Sequence, residues 1–219
     1  MYKRTTILSA RLLSTCMASL FMIPSCSSNE PQYPEINNKD NNKEKKTILT
    51  EADPTIFRDT DGTYYLYGTG AQSDKGFYVY QSKDLKEWSG PVGKENGFCL
   101  TSNTSFGTTG FWAPQVAKRG DTYYMFYTAN EQIAVATADN PYGPWTKQNA
   151  PIISRTNIGY YGTGHGDAFL DDAGKWKYVF HTHQSFTEVA PRKTALVGLN
   201  FKNGSFTIEE NTFTYLYKK

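Results

Sequence analysis

The sequence predicts an all-β, propeller-like protein with three recognisable four-stranded blade units. Three observations predict it. A pattern of short strand, turn and aromatic strand recurs, with starts near residues 53, 113 and 167. Aromatic residues make up 15% of the chain, including 16 Tyr and 13 Phe, and their alternating runs favour sheet over helix. No helical period of useful length occurs in the body of the chain.

The first unit reads Asp53-Pro54-Thr55-Ile56-Phe57, then Asp61-Gly62, then Thr63-Tyr64-Tyr65-Leu66-Tyr67. The second reads Ala113-Pro114-Gln115-Val116, then Gly120-Asp121, then Thr122-Tyr123-Tyr124-Met125-Phe126-Tyr127. The third reads Asp167-Ala168-Phe169-Leu170, then Ala173-Gly174, then Trp176-Lys177-Tyr178-Val179-Phe180. Each is hairpin grammar: a turn with Gly beside Asp or Ala joins two strands. Third strands follow at Gly76–Tyr80, Ile133–Thr137 and Thr194–Gly198. The first two units close with a polar turn and a Trp, at Trp88 and Trp145. A β-sandwich also has many short strands, but the repeat favours a propeller.

The N-terminus reads as an address. Lys3, Arg4 and Arg11 precede an apolar stretch over about residues 12–23, too short to span a membrane with ease. It ends Ile23-Pro24-Ser25-Cys26, which resembles the bacterial lipoprotein cleavage box, so residues 1–26 are expected to be a lipoprotein signal with Cys26 lipidated. An ordinary secretory signal with a chance Cys is the alternative. Residues 27–47 are rich in Ser, Pro, Asn and Lys without apolar periodicity, and read as a flexible linker. Residues 48–219 are left for the folded domain. There Cys99 stands alone between Phe98 and Leu100, so no disulfide is expected, and it reads as a small buried hydrophobe.

Composition excludes several classes. With 38% hydrophobic and 20% charged residues the chain is neither disordered, collagen-like nor a membrane-spanning bundle. A net charge of +2 gives no electrostatic footprint for nucleic acid. Walker loops, dinucleotide fingerprints and nucleophile elbows do not occur.

Four segments, in this order, resemble glycoside hydrolase family 43: Ala52-Asp53-Pro54, Phe111-Trp112-Ala113-Pro114-Gln115-Val116, Asp139–Trp145, and Gly162–Asp167 together with Tyr178–His183. The resemblance covers about residue 51 onward. It implies a five-bladed propeller acting on arabinose- or xylose-containing glycans, with plant-type arabinan or xylan oligosaccharides as partners. The matched segments resemble the first, second and fifth blades. After Trp145 the chain runs through Pro151-Ile152-Ile153 straight to Gly162. The family's third blade begins with an Asp that tunes acidity, and its fourth carries the catalytic Glu. Neither an Ile-Asp-Pro nor a Glu-Gly-Pro segment occurs here.

That departure bears on chemistry. Inverting glycosidases flank the scissile bond with two carboxyl groups, one protonating the leaving oxygen and one activating water. The resemblance implies that Asp53 is the general base; a turn-forming Asp is the bland reading. The general acid is unassigned. Asp61, Asp121, Asp171 and Asp172 sit at or beside turns, Asp167 opens the third unit, and Glu131 lies in a loop that could face solvent. The resemblance also implies that His165 lines the central pocket, touching sugar or an axial ion, and that Arg192 bonds sugar hydroxyls. Trp112 either stacks on a sugar ring or is a core aromatic. His181 and His183 share one side of a strand, a zinc pair only if a third ligand joins them. No cofactor is expected, although some family members hold a central calcium.

Three units are fewer than the roughly four to eight blades of natural propellers, which leaves open sheet edges that invite aggregation or self-association with another chain; an arc, a dimer and no closed fold all stay open. Three readings follow: an inverting glycosidase, lipid-anchored at the bacterial cell envelope and impaired by loss of the general-acid blade; a glycan-binding surface lipoprotein without turnover; or a non-functional, internally deleted remnant.

Overall fold

Alternation decides the architecture. In the run Thr122–Ala129 successive side chains point to opposite faces, and both faces are large and apolar, so the strand must be covered on both sides. The computed structural model of the chain describes residues 47–102 and 105–219, and places this strand in the middle of the Thr47–Lys219 body. The signal, Cys26 and residues 27–46 of the linker lie outside the described residues.

Unit 1 comprises β1 (Ala52–Arg58), β2 (Tyr64–Thr69), β3 (Gly76–Tyr78), β4 (Tyr80–Ser82) and β5 (Phe98–Thr101). Unit 2 comprises β6 (Trp112–Arg119), β7 (Thr122–Ala129), β8 (Gln132–Ala138) and β9 (Thr146–Lys147). One helical turn, α1 (Arg155–Ile158), ends at Gly159 with φ 81°. Unit 3 comprises β10 (Gly164–Leu170), β11 (Trp176–Thr182), β12 (Lys193–Lys202), β13 (Ser205–Ile208) and β14 (Thr214–Tyr215).

Unit 2 is the four-stranded antiparallel sheet that the sequence predicts, in the order β6-β7-β8-β9. The other two units depart from four strands. In unit 1 the expected third strand divides at Val79: β4 pairs with β2, while β3 pairs with β5. The Val79 carbonyl turns instead to the Val92 N–H at 2.8 Å, which interrupts the ladder. Unit 3 gains a fifth strand because β12 is ten residues long and its two ends take different partners, β14 and β13.

The three units pack face to face. Inner strand β1 lies against β6, and β6 against β10. Between units 1 and 2 the core holds Tyr65, Tyr67, Phe77, Val116, Tyr123, Met125 and Tyr127. Between units 2 and 3 it holds Tyr124, Phe126, Val135, Ala168, Tyr178, Phe180 and Phe206. Odd-numbered residues of β7 thus meet unit 1 and even-numbered ones meet unit 3, as the two-residue period requires. Cys99 is buried in the first of these cores as a free thiol, which burial pushes up. Units 1 and 2 are also pinned at the outer ends of β1 and β6. There Tyr123 Oη donates to Asp59 Oδ2 (2.6 Å) and Lys118 Nζ to Asp59 Oδ1 (2.9 Å).

Candidate active site

Each inner strand opens with the same irregularity. The register slips between Ala52 and Thr55, between Trp112 and Gln115, and between Gly164 and Gly166. At each slip one residue adopts a left-handed backbone: Asp53 (φ 45°), Ala113 (φ 48°) and His165 (φ 34°). Such a conformation costs an ordinary L-residue about 1–2 kcal/mol, and a bulge re-aims the side chain it carries. The three bulges lie on one end of the body, so this strained geometry is spent around a single place.

Partners on the second strands hold the bulges. Opposite their starts stand Thr69, Thr128 and His181. Thr69 Oγ1 donates to Asp53 Oδ2 (2.8 Å) and accepts from the Ala113 N–H (2.9 Å). Thr128 Oγ1 accepts from the His165 N–H (3.0 Å). Each threonine therefore reaches from its own unit to the bulge of the next. His165 Nδ1 in turn stands 3.2 Å from Asp53 Oδ1, so units 1 and 3 meet at this carboxylate.

The bulges surround a cavity of about 360 Å³. Asp53, Trp112, His165 and Arg192, the four residues singled out from the sequence, all line it. Trp112 is 41% exposed where it lines this cavity, which favours stacking on a ring over a place in the core. Asp167 does not line it. It occupies a neighbouring depression with His181 and Val179, where burial pushes its carboxyl up.

The sequence marks Glu131 as a loop acid that could face solvent, and it is exposed. The structure places it on the cavity wall, in the turn between β7 and β8, with its carbonyl accepting from Thr163 Oγ1 (3.2 Å). Its position follows from the register of the hairpin: Trp112 pairs with Thr128, so the turn three residues on sits at the same rim. Asp53 and Glu131 are the acidic residues among those that line this cavity.

His181 and His183 line the cavity as well. Gly162 makes room for the latter: its φ is 60°, and a Cβ there would lie 2.1 Å from His183 Cγ. Burial, helped by Arg192, His165 and His183, pulls His181 down to about 4 against the opposing pull of Asp53, so its imidazole is neutral at pH 7. Among the described residues no three His, Cys, Asp or Glu side chains are grouped to hold a metal ion. The pair His181 and His183 therefore has no third side chain of these types grouped with it among the described residues.

Comparison with known proteins gives this arrangement a context. Residues 47–158 match the model of the glycosyl hydrolases family 43. A probable arabinan endo-1,5-alpha-L-arabinosidase C of Aspergillus clavatus is 26% identical over 189 residues, covering 75% of this chain and 57% of that protein. Arabinan endo-1,5-alpha-L-arabinosidase A of Aspergillus niger is 23% identical over 194 residues, covering 78% and 58%. The crystal structure of an endo-arabinase from Bacteroides thetaiotaomicron superposes with a TM-score of 0.62 at 27% identity, covering 77% of this chain and 56% of that one. The chain thus spans somewhat more than half the length of these relatives, and its sheets match those of the endo-arabinase in fold.

Proposed function

This chain belongs to glycosyl hydrolases family 43, and we propose that it hydrolyses α-1,5-linked arabinan with inversion. The observation that carries the proposal is Asp53 itself: a carboxylate held at a strained bulge by Thr69 and His165, open to a cavity with an exposed indole. The relatives' names support arabinan as substrate.

In this reading Trp112 stacks on a sugar ring and Arg192 donates to sugar hydroxyls. Asp53 accepts a proton from water as the water oxygen bonds to the anomeric carbon. The bond from that carbon to the leaving oxygen breaks, and the leaving oxygen takes a proton. We assign that proton to Glu131, the other carboxyl group of the cavity. His181, neutral at pH 7, accepts or donates a hydrogen bond without adding charge.

The test is release of reducing ends from arabinan by the full chain. Asp53→Asn is expected to lower turnover by about 10²-fold or more, and undiminished turnover would overturn the assignment. Glu131→Gln is expected to lose arabinan turnover yet keep most of its rate on an aryl arabinoside whose leaving group needs no proton. Equal losses on both substrates would remove Glu131 from the acid role.

Binding without turnover is the second reading, favoured by the missing counterpart of the family's fourth-blade Glu. Saturable arabinan binding with no reducing ends released would establish it. Either reading places the chain at the cell envelope through Cys26, which fatty-acid labelling lost in Cys26→Ala would test.

A further inference from the structure

Counting from the bulges aligns the three units residue by residue. Three positions on stand Ile56, Val116 and Ala168, paired across the hairpin with Leu66, Met125 and Tyr178. Val116 and Met125 face back into the core shared with unit 1, and Ala168 and Tyr178 face back into the core shared with unit 2. Four positions on stand Phe57, Ala117 and Phe169, paired with Tyr65, Tyr124 and Lys177. Phe57 and Tyr65 face forward onto unit 2, and Ala117 and Tyr124 forward onto unit 3.

Among the described residues, two such faces have no unit against them. The back face of unit 1 presents Ile56, 50% exposed, with Leu66, where unit 2 buries Val116 and Met125. The forward face of unit 3 presents Phe169, 39% exposed, with Val179 and Leu196 half-buried, where unit 1 uses Phe57 and Tyr67. Lys177 brings a charge to this face, but its amine pairs with Asp171 Oδ2 (3.7 Å) and leaves the stem for packing. Asp167 stands where Gln115 stands in unit 2, and Gln115 Oε1 accepts from the Ala168 N–H of the following unit (3.4 Å). The forward face of unit 3 thus carries an acceptor at the position used to meet a next unit.

We propose that a second copy of this chain covers both faces. The forward face of unit 3 in one copy packs on the back face of unit 1 in the other, and the reciprocal contact closes a two-fold ring of six units. The two free faces correspond to the two sides of the buried interfaces, and each carries apolar residues at the equivalent positions: Ile56 and Leu66 on one, Phe169, Val179 and Leu196 on the other, with Arg58 and Lys177 as the charges beside them. A head-to-tail contact closes when its rotation permits, and six lies within the roughly four-to-eight-blade range of propellers.

Sedimentation equilibrium of the full chain tests this. The expected mass is about twice the 24.7 kDa of one chain. Ile56→Asp and Phe169→Asp are each expected to give a monomer whose near-ultraviolet circular dichroism is unchanged. Mixed in equal amounts the two variants are expected to form a dimer again, because one of its two interfaces then joins two unaltered faces. A monomeric wild type overturns the proposal whether or not a variant folds, and leaves each face to solvent or to another protein. A dimer that survives Phe169→Asp, no recovery on mixing, or open-ended polymers would also overturn it. None of these outcomes touches the arabinan reading, which is decided on turnover.

Discussion

Thr69→Val tests whether the inter-unit hydrogen bonds organise the site. Valine keeps the shape of threonine and removes the hydroxyl. Two bonds go with it: the 2.8 Å bond to Asp53 Oδ2 and the 2.9 Å bond from the Ala113 N–H. Ala113 is 3% exposed, so water cannot replace the lost acceptor. A buried donor left unsatisfied costs about 1–3 kcal/mol, and a bond to a charged group is worth about 1.5–3 kcal/mol, less at a half-exposed carboxylate. Together these give about 3 kcal/mol. In a body of this size each kcal/mol moves the melting temperature by about 2–4 °C, so a fall of about 6–12 °C is expected. Differential scanning calorimetry of the full chain reads it directly. Thr69→Ser retains the hydroxyl and is expected to melt within about 2 °C of wild type. The reasoning is refuted if Thr69→Val also melts within that margin, or if serine and valine fall equally.

Two further expectations follow from the same cavity. His181 has a folded value of about 4, below the ordinary imidazole value, so the unfolded chain takes up its proton first. Its contribution is present at pH 7 and is lost as the pH falls from about 6.5 towards about 4, by an amount on the order of 1 kcal/mol after solvent screening. Melting at pH 7 and pH 4.5 should therefore differ less in His181→Gln than in wild type. Trp112→Ala removes an exposed ring face worth about 0.5–1.5 kcal/mol in stacking, so arabinan oligosaccharides should bind about 2–12-fold more weakly by calorimetry, with the melting temperature nearly unchanged. A large fall in stability would return Trp112 to the core.

What was legible in the sequence was local. The hairpins follow from two-residue alternation and from turns such as Asp61-Gly62 and Ala173-Gly174, which are properties of adjacent residues. Asp53, Trp112 and His165 were legible because each stands in a segment with a family pattern, Arg192 only because it resembles a last-blade Arg, and all four line one cavity. The division of unit 1 was not legible. It depends on a bond from Val92 to Val79 and on β5 arriving beside β3 from some twenty residues downstream. Glu131 was missed for a related reason, since a loop acid carries no mark of the rim on which its hairpin ends. Thr69 and Thr128 read as ordinary strand residues, and their role exists only between units.

The bulges join these two kinds of information. Asp53, Ala113 and His165 occupy equivalent positions in three repeats, share one strained backbone conformation, and differ in side chain: a carboxylate, a methyl group and an imidazole. A purely structural bulge would favour glycine, which adopts a positive φ without steric cost. The retained side chains at two of these positions point into one cavity and touch each other at 3.2 Å. Strain accepted at residues that converge is the physical mark of a site, and it is independent of any motif. The repeat thus supplies a scaffold in which one backbone device is used three times, and chemistry enters through the residue placed on it.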